Sequence, residues 1–256
     1  MKPSAELEAA LEAARQAAAV LRSGYQSGAA VHMKADRTPV TEIDIRAERT
    51  IRGVLMEHFP SYGFYGEETG RHDGDGDLWL VDPLDGTKAF VRGYPFFSTQ
   101  IALMREGRFV LGVSSAPLYG ELAYAERGGG AWLNGRALQV SPIDRIEDAA
   151  LSTGNLKSLS AGPAWQRFGE VVGRLSRIRG YGDFLHYHLL GAGKIDAVIE
   201  SDVHVLDVAA LVTIVEEAGG RFTALDGTPV GLATTTVLAT NGQLHAPLLQ
   251  ALKYGQ

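Results

Sequence analysis

The segment LWLVDPLDGT, from Leu78 to Thr87, runs from an apolar strand into a turn that carries two aspartates. Residues 78–81 are apolar and favour a buried β-strand. Pro83 has no N–H to donate, so we expect it to end the hydrogen-bond ladder of this strand. Gly86 permits a tight turn, and a helix is predicted to begin at Thr87. The segment therefore predicts a strand, a turn and a helix start in immediate succession.

Asp82 and Asp85 are the two carboxylates of this segment. They are expected at the carboxyl end of a strand and beside a helix N-terminus, which binds anions through its free N–H groups and its dipole. Hard oxygen ligands in a chain without cysteine favour Mg²⁺ or a similar ion, and two such ions roughly 4 Å apart can clamp a phosphate and activate water. Aspartates are also common turn residues, so the segment alone leaves a purely local role open.

Three further acidic clusters accompany this segment. They are Thr41-Glu42-Ile43-Asp44, Gly66-Glu67-Glu68 and Leu206-Asp207. Asp44 and Asp207 stand near predicted helix starts, where an aspartate also serves as an N-cap. Adjacent glutamates are usually solvated. Taken singly, none of the three clusters identifies a site.

The composition excludes several functional classes. The chain has 256 residues, of which 45% are apolar, so it can bury a substantial core. A formal net charge of -6 without a basic patch argues against nucleic acid as a partner. The absence of cysteine excludes disulfides and thiolate chemistry. Residues 5–21 form an amphipathic helical pattern rather than a signal peptide, and no apolar run is long enough to span a membrane. We therefore expect a soluble, cytoplasmic protein.

The order of predicted elements divides the chain into two halves. The earlier elements are two helices followed by strands and a hairpin, near 4–22, 44–59, 78–82, 98–104, 109–115 and 121–133. The later elements alternate strands with helices, near 150–153, 164–175, 177–179, 184–190, 196–199, 208–218, 235–239 and 245–253. This order predicts an α+β half at 1–145, which carries most candidate ligands, and an α/β half at 146–256, with a ligand cleft between them.

The four clusters, in this order, resemble the inositol monophosphatase family. The hallmarks of that family are a Gly-Glu-Glu loop, an Asp-Pro-(Ile/Leu)-Asp-Gly-Thr segment and a Trp-Asp pair at a late helix start. The resemblance covers nearly the whole chain, with Leu206 in place of the usual tryptophan. It implies an α/β (α+β) fold, a layered α-β-α-β-α sandwich. It also implies a Mg²⁺-dependent phosphomonoesterase that acts on a small metabolite phosphate and often forms a homodimer.

The resemblance also implies a role for individual residues. Two Mg²⁺ ions are expected on Glu67, Asp82, the carbonyl of Leu84, Asp85 and Asp207. A third, weaker ion is expected near Glu67, with Glu68 close by. Thr87, hydrogen-bonded to Asp44, is expected to help deprotonate the attacking water, and Glu67 is counted with them as catalytic. The backbone N–H groups of Gly86 and Thr87 are expected to hold phosphate, and Lys34 lies in a loop that closes over the metals in the family.

Two segments favour the bacterial histidinol-phosphate phosphatase branch of this family. They are Lys88-Ala89-Phe90 and Tyr181-Gly182-Asp183. A carboxylate at Asp183 can pair with the amine or imidazole of histidinol phosphate, although Asp183 can equally cap the helix predicted at 184–190. Glu200 matches a family position that contacts a hydroxyl or an amine of the substrate, so it discriminates little between branches.

Alternative functions remain open at this point. Within the family they are hydrolysis of inositol 1-phosphate, of 3′-phosphoadenosine 5′-phosphate or of fructose 1,6-bisphosphate. From other classes they are a catalytically inactive binding or regulatory protein and a calcium-binding module. The last rests on Asp73-Gly74-Asp75-Gly76-Asp77, which mimics the start of an EF-hand loop but has Leu84 where the loop requires Glu.

Overall fold

The computed structural model of the protein describes residues 3–27, 31–33, 39–162 and 164–254. The helices in these ranges are α1 Ala5–Ser27, α2 Glu42–His58, α3 Thr87–Val91, α4 Leu156–Ala161, α5 Trp165–Val172, α6 Asp183–Gly191, α7 Val205–Glu217 and α8 His245–Leu252. The strands are β1 Val31–Met33, β2 Pro39–Thr41, β3 Gly63–Gly66, β4 Gly70–His72, β5 Leu78–Asp85, β6 Ser98–Arg105, β7 Arg108–Ala116, β8 Glu121–Glu126, β9 Gly130–Leu133, β10 Arg136–Ala137, β11 Ala150–Thr153, β12 Arg177–Arg179, β13 Ala197–Ser201, β14 Arg221–Thr223 and β15 Thr236–Thr240.

Most strands belong to two sheets. The first sheet has eight strands in the order β10-β9-β8-β7-β6-β5-β3-β4, and the second has five in the order β12-β11-β13-β15-β14. The first sheet is antiparallel except where β3 runs parallel to β5. In the second sheet β11 pairs parallel with β12 and β13, whereas β15 pairs antiparallel with β13 and β14.

Alternating side chains on β5 show how the layers are stacked. Trp79 and Val81 point into a core shared with α1 and α2, whereas Leu80 points into a core shared with α7 and the second sheet. The outer face of the second sheet packs against α5 and α8. The order is thus helix, sheet, helix, sheet, helix, and the layered α-β-α-β-α sandwich predicted from the sequence is confirmed.

Helix α7 is apolar on nearly every side because it lies between the two sheets. Its backbone approaches β7 so closely that a Cβ added at Gly112 would lie 2.0 Å from the carbonyl oxygen of Ala210. A larger residue at position 112 would push the helix off the sheet. This close packing holds the first turn of α7 at the edge of the first sheet.

The prediction that Pro83 ends the strand was wrong. Strand β5 continues to Asp85, and its pairing with β6 shifts register between Asp82, which faces Gln100, and Asp85, which faces Ser98. Three steps along β5 therefore match two along β6, which is a β-bulge, and bulges tolerate a proline that cannot donate to the ladder.

Three predicted helix starts also needed correction. Helix α2 begins at Glu42 with Thr41 as its N-cap, and α7 begins at Val205 with His204 as its N-cap. Asp44 and Asp207 are the third residues of their helices. Each completes a capping box, but neither is itself the N-cap. The N-cap of α6 is Gly182, so Asp183 is the first residue of the helix and not its cap.

Within residues 3–27, 31–33, 39–162 and 164–254, none of the helices combines the length and the apolar character that crossing a bilayer requires.

Candidate active site

Three aspartates converge where β5 ends and α7 begins. Asp82, Asp85 and Asp207 each offer a carboxylate oxygen, and these oxygens all lie within 4.8 Å of one another. Side chains three residues apart on a regular strand point to opposite faces, so the bulge after Asp82 supplies the extra residue that brings the two β5 carboxylates to one side.

The first turn of α7 fixes the third carboxylate. Asp207 Oδ2 accepts a hydrogen bond of 2.8 Å from the N–H of His204, which closes the capping box. The His204 ring accepts from the N–H of Leu206 through Nδ1 and lies 3.2 Å from the Tyr65 hydroxyl through Nε2. One oxygen of Asp207 thus anchors the helix start while the carboxylate remains part of the cluster.

Several negatively charged side chains lie close together in and around this cluster. Burial raises the pKa of Asp82 and of Asp85 well above the usual aspartate range, and neighbouring carboxylates raise it further. Burial also raises the pKa of Asp207 to about 7, and the charges of Glu67 and Glu200 add to this effect. Carboxyl groups this close to one another resist ionisation, because their negative charges repel, unless a bound cation neutralises them.

Glu67 lies on the turn between β3 and β4, outside the group of three. Its charge nevertheless raises the pKa of Asp82. The turn is held by Glu48, a fully buried residue of α2 whose carboxylate accepts the N–H groups of Glu68 and Thr69 at 2.7 and 2.9 Å. A Cβ added at Gly66 would lie 2.5 Å from that carboxylate, so a side chain there would displace it from the turn.

Thr87 and Asp44 form a hydrogen-bonded pair beside the cluster. Thr87 Oγ1 lies 3.2 Å from Asp44 Oδ1 and 3.0 Å from the carbonyl oxygen of Leu84. The hydroxyl has one proton, so donation to Asp44 leaves the Leu84 carbonyl for another partner. Asp44 is fully buried, which raises its pKa, and its hydrogen bonds from Thr41 and Thr87 act in the opposite direction.

Gly86 makes the sharp turn that starts α3. Its φ of 92° lies in the left-handed region, and a Cβ at this position would lie 2.6 Å from the carbonyl oxygen of Phe96. The turn brings the first N–H groups of α3, which have no partner within a helix, to the edge of the carboxylate cluster. The helix start predicted at Thr87 is confirmed.

A small pocket of about 40 Å³ adjoins the cluster. Asp85 and Asp207 line one side, and Asp183 and Glu200 bring two more carboxylates to the same space. Asp183 has a φ of 42°, an unusual value for a residue other than glycine. Burial, and next the charge of Glu200, raise the pKa of Asp183 to about 6. The pocket therefore carries an excess of negative charge.

One buried donor, the hydroxyl of Tyr187, holds Glu200 in this pocket. The Tyr187 hydroxyl donates to Glu200 Oε2 at 2.9 Å, and His186 Nε2 lies 3.1 Å from the same oxygen. His186 Nδ1 lies 3.3 Å from the Ser152 hydroxyl, and both residues are fully buried. These contacts keep the Glu200 carboxylate in place at the inner end of the pocket.

Comparison with known proteins accounts for this arrangement. The model of the inositol monophosphatase family matches residues 3–255. The chain belongs to the inositol monophosphatase family. It is 39% identical over 231 residues to a histidinol-phosphatase of Mycobacterium tuberculosis, which covers 88% of each chain. It is 36% identical over 228 residues to an inositol-1-monophosphatase of Rhizobium meliloti, which covers 87% of this chain and 86% of the relative.

Solved structures show the same fold as this family member. An extragenic suppressor protein suhB of Bartonella henselae superposes with a TM-score of 0.88 at 32% identity and covers 99% of this chain and all of its own. The IMPase of Thermotoga maritima gives a TM-score of 0.84 at 31% identity over 95% of this chain and 94% of its own. The protein is accordingly a metal-dependent phosphoric monoester hydrolase of the inositol monophosphatase family.

The residues of this phosphatase fit a divalent cation on chemical grounds. The donor set of Asp82, Asp85 and Asp207 consists of oxygen alone, which suits hard ions. The repulsion among these carboxylates is what a bound cation would relieve.

The outcome for the remaining candidate residues is mixed. Lys34 lies outside the described residues. The acidic loop that mimics an EF-hand is exposed, and two arginines pair with its ends, Arg71 with Asp73 and Arg105 with Asp77. Leu206, which stands where the family has tryptophan, is buried in the core between the sheets and serves packing.

The sequence interpretation missed three residues that support the site, Glu48, His186 and His188. A signal for Glu48 was present: with Asp44, Ile51 and Leu55 it follows the spacing of one helix face, and a carboxylate on a buried face needs a partner. The two histidines lie two residues apart on one helix, and no pattern in the sequence distinguishes them from ordinary packing residues.

Proposed function

We propose that this enzyme is a Mg²⁺-dependent histidinol-phosphate phosphatase. The observation that carries the proposal is the excess negative charge of the pocket at Asp183 and Glu200. Histidinol phosphate is a phosphate monoester whose alcohol part is cationic near neutral pH, so it would place positive charge against these carboxylates. Relatives named histidinol-phosphatase, 33 to 39% identical to this chain, support the same substrate.

Two or three Mg²⁺ ions are assigned to the carboxylate cluster. The residues that would hold them are Glu67, Asp82, the carbonyl of Leu84, Asp85 and Asp207. When bound, Mg²⁺ lowers the pKa of a water nucleophile and neutralises charge on the phosphate.

Thr87 and Asp44 are assigned the proton transfer. Thr87 Oγ1 donates its own proton to Asp44 Oδ1 and accepts a proton from the attacking water. Burial of Asp44 favours the protonated carboxyl that results. The N–H groups of Gly86 and Thr87, at the start of α3, hold phosphate oxygens, and Lys34 stays a candidate contact to the substrate.

The alcohol part of the substrate is assigned to the acidic pocket. Asp183 is not used as a helix cap, so its carboxylate can pair with the amine. Glu200, held by the Tyr187 hydroxyl, accepts a second hydrogen bond from the same group. The charge of Lys88 acts on Asp183 as well, and it partly balances the pocket.

Inositol 1-phosphate is the second candidate substrate. The relative named inositol-1-monophosphatase is nearly as similar as the histidinol-phosphatases, and Glu200 can accept a hydroxyl as readily as an amine. 3′-Phosphoadenosine 5′-phosphate ranks third, and fructose 1,6-bisphosphate is a further candidate substrate. A catalytically inactive binding protein is disfavoured because Asp44, Thr87 and the three aspartates of the cluster are all in place.

Phosphate release from these four compounds in the presence of Mg²⁺ tests the proposal. We expect histidinol phosphate to give the highest kcat/KM. We expect Asp183→Asn to lower kcat/KM for histidinol phosphate by about 10- to 100-fold, since a hydrogen bond to a charged group contributes about 1.5–3 kcal/mol. The same substitution should change kcat/KM for inositol 1-phosphate much less. Asp144→Asn, at an exposed aspartate outside the pocket, is the matched control.

Either of two results would contradict the substrate assignment. A higher kcat/KM for inositol 1-phosphate in the unmodified enzyme would mean that the pocket selects hydroxyl groups. An equal loss on both substrates in Asp183→Asn would mean that Asp183 does not select the cation. A lack of release from all four compounds would favour the inactive binding protein.

The homodimer and the cytoplasmic location expected from the sequence belong to this proposal. Sedimentation equilibrium of the purified protein tests the first, and fractionation of the cells that make the protein tests the second.

A further inference from the structure

Four buried polar residues near the site have no part in the proposed chemistry. They are Ser98, Gln100, Ser114 and His188, each at most 1% exposed. Hydrogen bonds join them into one chain from Asp85, in the carboxylate cluster, to Glu121, whose side chain is 25% exposed. We call Ser98, Gln100, Ser114, His188 and Glu121 the Gln100 network.

One arm of the Gln100 network ends on Asp85. Gln100 Nε2 donates to Ser98 Oγ at 2.8 Å, and Ser98 Oγ donates to Asp85 Oδ2 at 3.0 Å. Because the serine hydroxyl accepts the amide proton, its single proton is directed to the carboxylate. The Ser98 hydroxyl that donates to Asp85 Oδ2 is therefore itself fixed by the hydrogen bond from Gln100.

The other arm ends on Glu121. Gln100 Nε2 lies 3.1 Å from Ser114 Oγ, which lies 2.9 Å from His188 Nε2, and His188 Nδ1 lies 2.8 Å from Glu121 Oε2. If Ser114 Oγ accepts from the Gln100 amide, the Ser114 hydroxyl donates its proton to His188 Nε2. A neutral His188 then carries its own proton on Nδ1, which faces Glu121. The hydrogen bond from His188 lowers the pKa of Glu121, as expected for a carboxylate that accepts from this ring.

The network links β6, the strand paired with the segment that carries Asp85, to α6, the helix that carries Asp183. Ser98 and Gln100 lie on β6, next to the bulge that presents Asp85, whereas His188 lies on α6, the helix that begins with Asp183. The charge of Asp183 acts on Asp85, so the two carboxylates repel each other across the pocket. A buried set of directed hydrogen bonds can hold both elements against that repulsion.

We propose that the Gln100 network positions Asp85 for the cation, with Ser98 as the direct support and His188 as the residue that ties this support to α6. The inference rests on the proposed function only in taking Asp85 as a cation ligand. His188 and Gln100 are positioning residues that act through Ser98, because neither contacts the carboxylate cluster in the hydrogen bonds described above.

Mg²⁺ binding measured by calorimetry, without substrate, tests the network. Residues that orient a metal ligand typically change metal affinity by about 10- to 100-fold when they are replaced. We expect Ser98→Ala to raise the dissociation constant of Mg²⁺ by about 10-fold. Gln100→Leu, Ser114→Ala and His188→Gln should raise it progressively less as their distance from Asp85 grows. Ser115→Ala, at a buried serine one residue from the network, should leave it unchanged.

The outcomes separate this inference from the metal assignment. If Asp85→Asn abolishes Mg²⁺ binding while Ser98→Ala and Ser114→Ala bind Mg²⁺ as the unmodified protein does, the network is structural and the proposal is overturned. If Asp85→Asn also binds Mg²⁺ normally, the metal assignment itself is wrong. Should His188→Gln fail to fold, Ser114→Ala breaks the same link with a smaller change, and its affinity decides.

Discussion

Helices α2 and α7 begin with the same capping box but present different surroundings to the aspartate in it. In α2, Asp44 Oδ2 accepts the N–H of Thr41 at 2.8 Å, and in α7, Asp207 Oδ2 accepts the N–H of His204 at 2.8 Å. The backbone places both carboxylates in the same local position, at the edge of the active site.

The neighbours of the two carboxylates differ in kind. Asp44 is fully buried and accepts hydrogen bonds from the hydroxyls of Thr41 and Thr87. Asp207 is partly exposed and faces the carboxylates of Asp82 and Asp85. Burial raises the pKa of Asp44 and so favours uptake of a proton, whereas a carboxylate among carboxylates is suited to share a cation. The surroundings, and not the local motif, thus assign the two roles.

The largest effect is expected from Asp207→Asn. The amide can still accept from His204, so the helix start is preserved, but the cation loses a charged ligand. We expect kcat to fall by about 10³-fold or more, since a metal contributes several kcal/mol to the transition state. In EDTA, the variant should melt at the same temperature as the unmodified protein or higher, because a carboxylate repelled by its neighbours is gone. Activity assays and thermal melts measure the two effects. A lower melting temperature in EDTA would mean that Asp207 serves the fold.

A smaller effect on activity, without an effect on the metal, is expected from Asp44→Asn. The substitution removes the group that receives a proton through Thr87, and loss of a general base costs about 10²- to 10⁴-fold. We place the expected loss of kcat near 10²-fold, since Thr87 and the bound ions remain. The Mg²⁺ concentration required for half-maximal activity should not change. A rise in that concentration would make Asp44 part of the cation site and end the distinction between the two helices.

The smallest effect is expected from Thr41→Ala. It removes a cap side chain that accepts from the N–H groups of Ile43 and Asp44. Loss of such a cap lowers the free energy of unfolding by about 1 kcal/mol, which urea denaturation can measure. We expect Mg²⁺ affinity to stay the same. A loss of Mg²⁺ affinity in this variant would show that the first turn of α2 also shapes the metal cluster.

The sequence predicted the parts of the site that depend on local chemistry. The turn at Gly86 and the helix at Thr87 follow from local residue types, whereas the grouping of the aspartates was implied by the resemblance to the family. The bulge at Pro83 was not predicted because it depends on how β6 pairs with β5. Strands β3 and β4 were not among the predicted elements, since each is short and contains glycine.

Supporting residues were the hardest part to predict. His188 is buried because α6 packs between the two sheets, and its partners Ser114 and Glu121 lie 74 and 67 residues away in sequence. Burial and partners of this kind are decided by tertiary packing, which a local pattern does not contain. Glu48 is the exception, because its helix face could be identified from spacing alone.

Calorimetric titration of Mg²⁺ into the unmodified protein, Asp207→Asn and Asp44→Asn tests the central claim most directly. We expect the unmodified protein and Asp44→Asn to bind Mg²⁺ with the same dissociation constant, and Asp207→Asn to lose at least one of the binding events. Equal binding in all three proteins would contradict the assignment of the carboxylate cluster as the metal site.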